Sequence, residues 1–157
     1  MRSEEEDRPI LFYLKDEQYG WLSNFWPSQI VGEDGIVYPT AEHYYQSHKT
    51  NDQWIRRWIA DAPKPYLAMK AGRNLREKDG VPTDWESYKV QVMANALHLK
   101  FKQNPDLARK LLSTGDALLG EDSPTDMFWG VKGKNQLGNL LAKVREELRV
   151  LNDKGEK

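Results

Sequence analysis

The stretch Y38-P-T-A-E-H-Y-Y-Q-S-H-K49 is where the chain turns from strand to helix. Pro39 forces the residue before it out of the helical region, and the Thr40 hydroxyl can accept from the first amide groups of a helix. The sequence therefore predicts a helix over about residues 41 to 50. Its lining is unusual: Glu42, Tyr45, Gln46 and Lys49 fall at i, i+3, i+4 and i+7, a one-sided spacing that normally belongs to aliphatic residues. Two readings follow. In one, this face is solvated and Ala41, Tyr44 and His48 meet the core; in the other, it is the wall of a cleft.

Upstream of this helix the signals are those of strands. P9-I-L-F-Y-L14 predicts a short strand, and S28-Q-I-V-G-E-D-G-I-V-Y38 predicts a hairpin turning at Asp34 and Gly35, where glycine supplies the positive φ of a tight turn. Downstream, helices dominate. One is predicted over 52 to 61 with an apolar stripe of Trp54, Ile55, Trp58 and Ile59, ending before Pro63, and another over 66 to 76. Thr83 and Glu86 form a capping box that opens a helix over 84 to 103, with Trp85, Tyr88, Val92, Ala96 and Leu99 on one side. Asn104 and Pro105 restart a helix, and the last helix, over 137 to 151, offers Leu137, Leu140, Leu141, Val144, Leu148 and Leu151 to the core. Residues 113 to 135 read as a long irregular loop, a length usually tied to function, with Met127, Phe128 and Trp129 arguing for packing. The expected class is α+β: a mostly helical domain over residues 9 to 151 with a small β-hairpin or sheet near the N-terminus. The charged residues 1 to 8 and the polar residues 152 to 157 are expected to be disordered.

Composition narrows the chemistry. At 157 residues, with 39% hydrophobic residues and six Trp, the chain has enough apolar surface for one compact core. It has no cysteine, which excludes disulfides, thiolate metal sites and a cysteine nucleophile, and which suits the reducing cytoplasm, the expected location. The charged start predicts no signal peptide, and no window approaches a membrane span. With 23 basic and 24 acidic residues, no whole-molecule positive field draws in nucleic acid. Gripping a nucleic acid backbone would need a local basic patch.

Two further stretches can carry chemistry. Y19-G-W-L-S-N-F25 sets Ser23 and Asn24 between Trp21 and Phe25, a recipe either for stacking a flat ring and bonding its edge or for a core turn. D126-M-F-W-G-V-K-G-K-N-Q-L-G138 leads glycines and two lysines into a helix start, which can present amide groups to a phosphate or simply satisfy loop geometry. It is not a P-loop, because Asn135 stands where Ser or Thr is required. No metal site is expected, since His43 and His48 are five apart and His98 lies on another helix. No serine sits in a nucleophile elbow.

Taken jointly, these pieces resemble the YbiA-like, or NADAR, family. The matching residues are Y19-G-W-L-S-N-F25, Y38 to Q46 with Lys49, A71-G-R73, D84-W85, K100-F101 with N104-P105, L112-S-T-G115, D126-M-F-W-G130 and G133-K-N-Q-L-G138, in family order over roughly residues 10 to 150. The resemblance implies a mostly helical α+β fold and an N-glycosidase activity without a cofactor. It implies a substrate in which a phosphorylated ribose is joined through C1 to nitrogen: a phosphoribosyl intermediate of riboflavin biosynthesis, or ADP-ribose on guanine in DNA or RNA. A non-catalytic ADP-ribose or nucleotide-binding module is the alternative.

Breaking a C1–N bond builds positive charge on the ribose, which a carboxylate stabilises, and the leaving base needs a proton. On this implied activity Glu42 is expected to be the catalytic carboxylate, with Asp126 or Lys49 serving the leaving base. Trp21, Phe25 and Trp129 would stack and exclude water, beside Tyr45 and Gly130. Ser23, Asn24 and Gln46 would bond ribose hydroxyls or the base edge. Arg73, Lys134 and the amide groups near Asn135 would receive phosphate.

Overall fold

The computed structural model describes residues 8 to 155, so the expectation of disorder over residues 1 to 7 and over 156 and 157 lies outside the described residues. In chain order the elements are β1 (Ile10–Phe12), β2 (Ile30–Val31), β3 (Val37–Tyr38), α1 (Ala41–Ser47), α2 (Gln53–Ala60), α3 (Pro65–Arg73), α4 (Trp85–Gln103), α5 (Pro105–Ser113), β4 (Leu119–Glu121) and α6 (Gln136–Gly155). This is the expected α+β, mostly helical class. The chain divides into two compact units: a continuous one from Asn24 to Gln103, and one formed by the described residues up to Ser23 together with those from Asn104 onward.

In the continuous unit, β2 and β3 form the predicted hairpin, with Ile30 opposite Tyr38. Gly35 takes φ +80°, and Asp34 Oδ1 accepts from the Ile36 amide at 3.0 Å, so the turn closes on both glycine freedom and a side-chain bond. Thr40 caps α1 by accepting from the His43 amide at 3.1 Å. Helix α1 packs against α2, α3, α4 and β3. All seven of its residues are buried, polar ones included, so the solvated-face reading does not hold for Glu42. A helix packed against three others keeps only narrow edges open, Glu42 being 8% and Tyr45 7% exposed, and its polar groups must find partners inside.

Burial on α2 departs from the predicted stripe. Ile59 and Ala60 are buried, while Trp54 is 84% and Trp58 63% exposed. On α4 the buried positions are Met93, Ala96, Leu97, Lys100 and Phe101, and Tyr88 is half exposed. The helix packs on both α1 and β2, so more than one of its faces is covered and a one-sided reading selects the wrong positions.

In the other unit, β1 pairs in parallel with β4, with Ile10 opposite Leu119 and Phe12 opposite Glu121. The sequence reading misses β4, because Leu119-Gly120-Glu121 is too short to show an alternation. Helix α6 packs on β4 at very short range: a Cβ on Gly138 would lie 1.9 Å from the Leu119 carbonyl oxygen. The buried Arg145 donates from one nitrogen to the Ala117 carbonyl and to Thr114 Oγ1, each at 2.9 Å. Helix α6 continues to Gly155, so Asn152–Gly155 are helical where a disordered tail is expected, and Leu151 is exposed.

Candidate functional site

The residues picked out from the sequence fall into two sets, one in each unit. In the continuous unit the set gathers on α1. Gln46 Nε2 donates to Glu42 Oε1 at 2.8 Å, both side chains being buried. The Glu42 amide donates to the Asn24 carbonyl at 3.1 Å, which holds Asn24 beside the first turn of the helix. Asn24 is itself buried, its Nδ2 donating to Met93 Sδ at 3.4 Å. Lys49, two residues past the end of the helix, lies with Nζ 5.7 Å from the centre of the Tyr45 ring and 6.0 Å from that of Trp85. Those two rings contact each other at 5.7 Å.

Burial pulls the Lys49 ammonium below its ordinary pKa; the Glu42 charge opposes that shift and the Arg73 charge adds to it. A lysine in this state gives up a proton more readily than a solvated one. Arg73 is exposed at the C-terminal end of α3, and Phe25 is half-buried. Glu42, Tyr45, Gln46, Lys49 and Asn24 are thus brought together, with Arg73 within electrostatic reach of Lys49.

Two contributors were not assigned a site role from the sequence. Trp85 closes the aromatic face over Lys49; its signals in the sequence are a place in the stripe of α4 and in the D84-W85 pair. Gly72 is the other: a Cβ there would lie 2.0 Å from Gln46 Oε1, so the Gln46 amide occupies the space that glycine leaves on α3. The A71-G-R73 triplet carried that signal, since glycine inside a helix costs about 1 kcal/mol against alanine and calls for a packing reason.

On the far side of this network the polar residues are tied up structurally. His43 Nδ1 pairs with Thr40 Oγ1 at 2.8 Å and its Nε2 with the Ala62 carbonyl at 2.9 Å. His48 stacks on Tyr44 with ring centres 3.8 Å apart and lies 3.6 Å from Asp34, which also receives Tyr38 and Arg56. Among the described residues no group of three or more His, Asp or Glu could hold a metal ion.

In the other unit, Trp21 is buried, with Lys110 Nζ 6.0 Å from its ring. It lines a hollow of about 1060 Å³ together with Tyr19, Lys110, Thr114 and Asp116. Ser23 is buried and its amide donates to the Gly20 carbonyl. Asp126 Oδ1 accepts from the Phe128 and Trp129 amides at 3.0 and 2.8 Å, capping the turn of D126-M-F-W-G130. Trp129 packs edge-on against Phe128, and Lys134 Nζ lies 5.7 Å from the Phe128 ring.

The amide groups near Asn135, expected to receive phosphate, are engaged within the loop. The amides of Lys134, Asn135, Gln136 and Leu137 donate to the carbonyls of Met127, Gly130, Phe128 and Trp129 at 2.8–3.2 Å, so the loop consumes its own donors. Asn135 itself takes φ 50° and latches the strand: its Nδ2 donates to the Leu119 carbonyl at 3.0 Å while its Oδ1 accepts from the Glu121 amide at 3.4 Å. Gly130 is required by crowding, because a Cβ there would meet the Asp126 carbonyl at 2.4 Å and Glu121 Oε2 at 2.8 Å.

With this geometry established, comparison with known proteins gives the lineage. The model of the NADAR domain matches residues 11–149. The chain belongs to the NADAR domain family. It is 42% identical over 151 residues to the N-glycosidase YbiA of Shigella boydii, covering 92% of this chain and 91% of that protein. It is also 39% identical over 153 residues to a riboflavin biosynthesis protein of Vibrio vulnificus, covering 95% of this chain and 41% of that longer protein. The NMR structure of YbiA from Escherichia coli superposes with a TM-score of 0.81 at 39% identity, over 93% of this chain and 88% of that one. This NADAR chain therefore shares the fold of that structure as well as its sequence pattern. Among the described residues, no helix is long and apolar enough to cross a membrane.

Proposed function

We propose that this NADAR chain hydrolyses the C1–N bond of a phosphorylated N-riboside. That it is a hydrolase acting on N-glycosyl bonds follows from its family, whose similar members carry the name N-glycosidase. The substrate class is the finer step. The observation that carries it is the Glu42 carboxylate, buried on α1 with Gln46 bonded to one oxygen and the Lys49 ammonium nearby. A buried, oriented carboxylate suits a reaction whose transition state is a ribosyl cation.

In this reaction the C1–N bond breaks, its electrons leave with the base, and a water oxygen bonds to C1. Glu42 stabilises the cation, orients that water and takes the proton the water sheds on bonding to C1; Gln46 fixes the carboxylate. Lys49, its proton loosened by burial, gives that proton to the leaving nitrogen, and Arg73 takes phosphate. Asp126 is the second candidate for the proton, although its Oδ1 is occupied by two amides. Trp21, Ser23, Phe25, Trp129, Gly130 and Lys134 keep the substrate-binding roles that the resemblance implies. We place the protein in the cytoplasm, which suits its lack of cysteine.

Two substrates fit this chemistry, a phosphoribosyl intermediate of riboflavin biosynthesis and ADP-ribose on guanine. The name of the Vibrio vulnificus relative favours the first. The test is a parallel incubation with both, read by mass spectrometry. Free base with free ribose phosphate from one of them is the expected result; ligand bound but intact would make the chain a binding module and overturn the reading.

A further inference from the structure

A second surface of the continuous unit is built for a different contact. Trp54 and Trp58 lie four residues apart on α2, about 6 Å along the helix axis, so they project from one side, and both are largely exposed. Tyr66 on α3, which packs beside α2, is half exposed as well. Single exposed aromatics are ordinary, but two indoles on one face with a phenol on the adjoining helix form a recognition surface.

Charge sets the kind of partner. Between residues 53 and 76 the chain carries six Lys or Arg and a single Asp, whereas the whole chain has 23 basic and 24 acidic residues. Arg56 is bound to Asp34, but Arg57, Lys64 and Lys70 are exposed, and Lys70 Nζ lies 5.5 Å from the Tyr66 ring. A surface so positive repels a second copy of itself across a two-fold axis, where cation would meet cation. It complements an anionic chain that also offers flat rings.

We propose that the face of α2 and the first turns of α3 binds single-stranded nucleic acid, with bases stacking on Trp54 and Trp58 and phosphates meeting Arg57, Lys64 and Lys70. Stacking needs splayed bases, which a duplex does not offer, and indole faces accept any base. This is the local basic patch that the near-zero net charge makes necessary. The contact involves none of the groups assigned to hydrolysis.

The test is fluorescence anisotropy with a labelled oligothymidylate of about 20 nucleotides, at about 50 and 200 mM salt. Binding that weakens with salt and quenches tryptophan fluorescence is expected. Trp54→Ala/Trp58→Ala should lower affinity at least about tenfold, and Arg57→Glu/Lys64→Glu should flatten the salt dependence. Circular dichroism should show both variants folded, and hydrolysis of a free phosphoribosyl substrate should be unchanged in the tryptophan variant. No binding at the lower salt overturns the proposal, as does equal affinity in the tryptophan variant. Sedimentation showing a dimer that dissociates in that variant, or capture by anionic vesicles in place of the oligonucleotide, would assign the face elsewhere and also overturn it. Because anisotropy reads binding and requires no bond to be cleaved, failure of the hydrolytic reading leaves this experiment intact.

Discussion

Gln46 holds Glu42: the amide of one donates to the carboxylate of the other at 2.8 Å across one turn of a helix whose residues are all buried. The pair explains why a polar stripe can sit where aliphatic residues belong. The bond orients the carboxylate, and an oriented negative charge opposes a developing cation.

Replacing that carboxylate by its amide isostere separates charge from shape. Glu42→Gln should reduce turnover of a phosphoribosyl substrate by about two orders of magnitude, the usual effect of removing one group that opposes transition-state charge. Thermal unfolding should change little, and binding of ribose 5-phosphate should persist. Turnover equal to wild type would remove Glu42 from the mechanism.

Gly72 permits the Gln46 orientation, so a methyl group there should act on the site through Gln46. Gly72→Ala raises helix propensity, yet its Cβ would lie 2.0 Å from Gln46 Oε1. A net loss of about 1–3 kcal/mol in urea unfolding is expected, with turnover reduced. Gln46→Ala should lower turnover in its own right. In the double variant Gly72→Ala should then cost far less stability, and that non-additivity marks direct coupling.

His48 should make stability fall in mild acid. Burial, with the Arg56 charge adding to it, lowers its pKa from 6.5 to about 4. The folded state thus binds the proton less tightly than the unfolded chain. Stability is therefore full above about pH 6.5 and declines as pH falls towards 4, by up to about 3 kcal/mol. His43 is shifted in the same direction by burial. Urea unfolding between pH 7 and 4 should show a shallower decline in His48→Gln than in wild type.

Glu121 should act in the opposite sense. Burial raises its pKa from 4.5 to about 7, against a hydrogen bond from the Ser123 amide and with the Asp126 and Asp122 charges adding to the rise. Its Oε2 has no hydrogen-bond partner among the described residues. An acid raised on folding stabilises below its unfolded pKa, and that contribution is lost as pH rises through about 7. Glu121→Gln should therefore match wild type near pH 4.5 and exceed it by about 1–3 kcal/mol at pH 8. Equal stabilities at pH 8 would show that the carboxyl is solvated.

The strand-to-helix switch at Pro39 and Thr40, the hairpin at Asp34 and Gly35, and the restart at Asn104 and Pro105 were legible because each is local. The residues involved carry their own backbone preferences and caps. The order of motifs from Tyr19 to Gly138 was enough to suggest the NADAR family, and the match over residues 11–149 agrees. Burial was less legible, since it depends on what covers each face: Trp54 looked like core and is exposed, whereas Glu42 is buried.

By itself the sequence determined most element types, the family and the polar stripe that begins on α1, since these rest on local stereochemistry and spacing. Tertiary structure decided the rest. It packed α1 against three helices, pressed Gln46 against Gly72, paired β1 with a three-residue strand 109 positions away and engaged the amide groups of the loop around Asn135. Each of these is a contact between segments distant in sequence, set by close packing and by the need of every buried polar group for a partner.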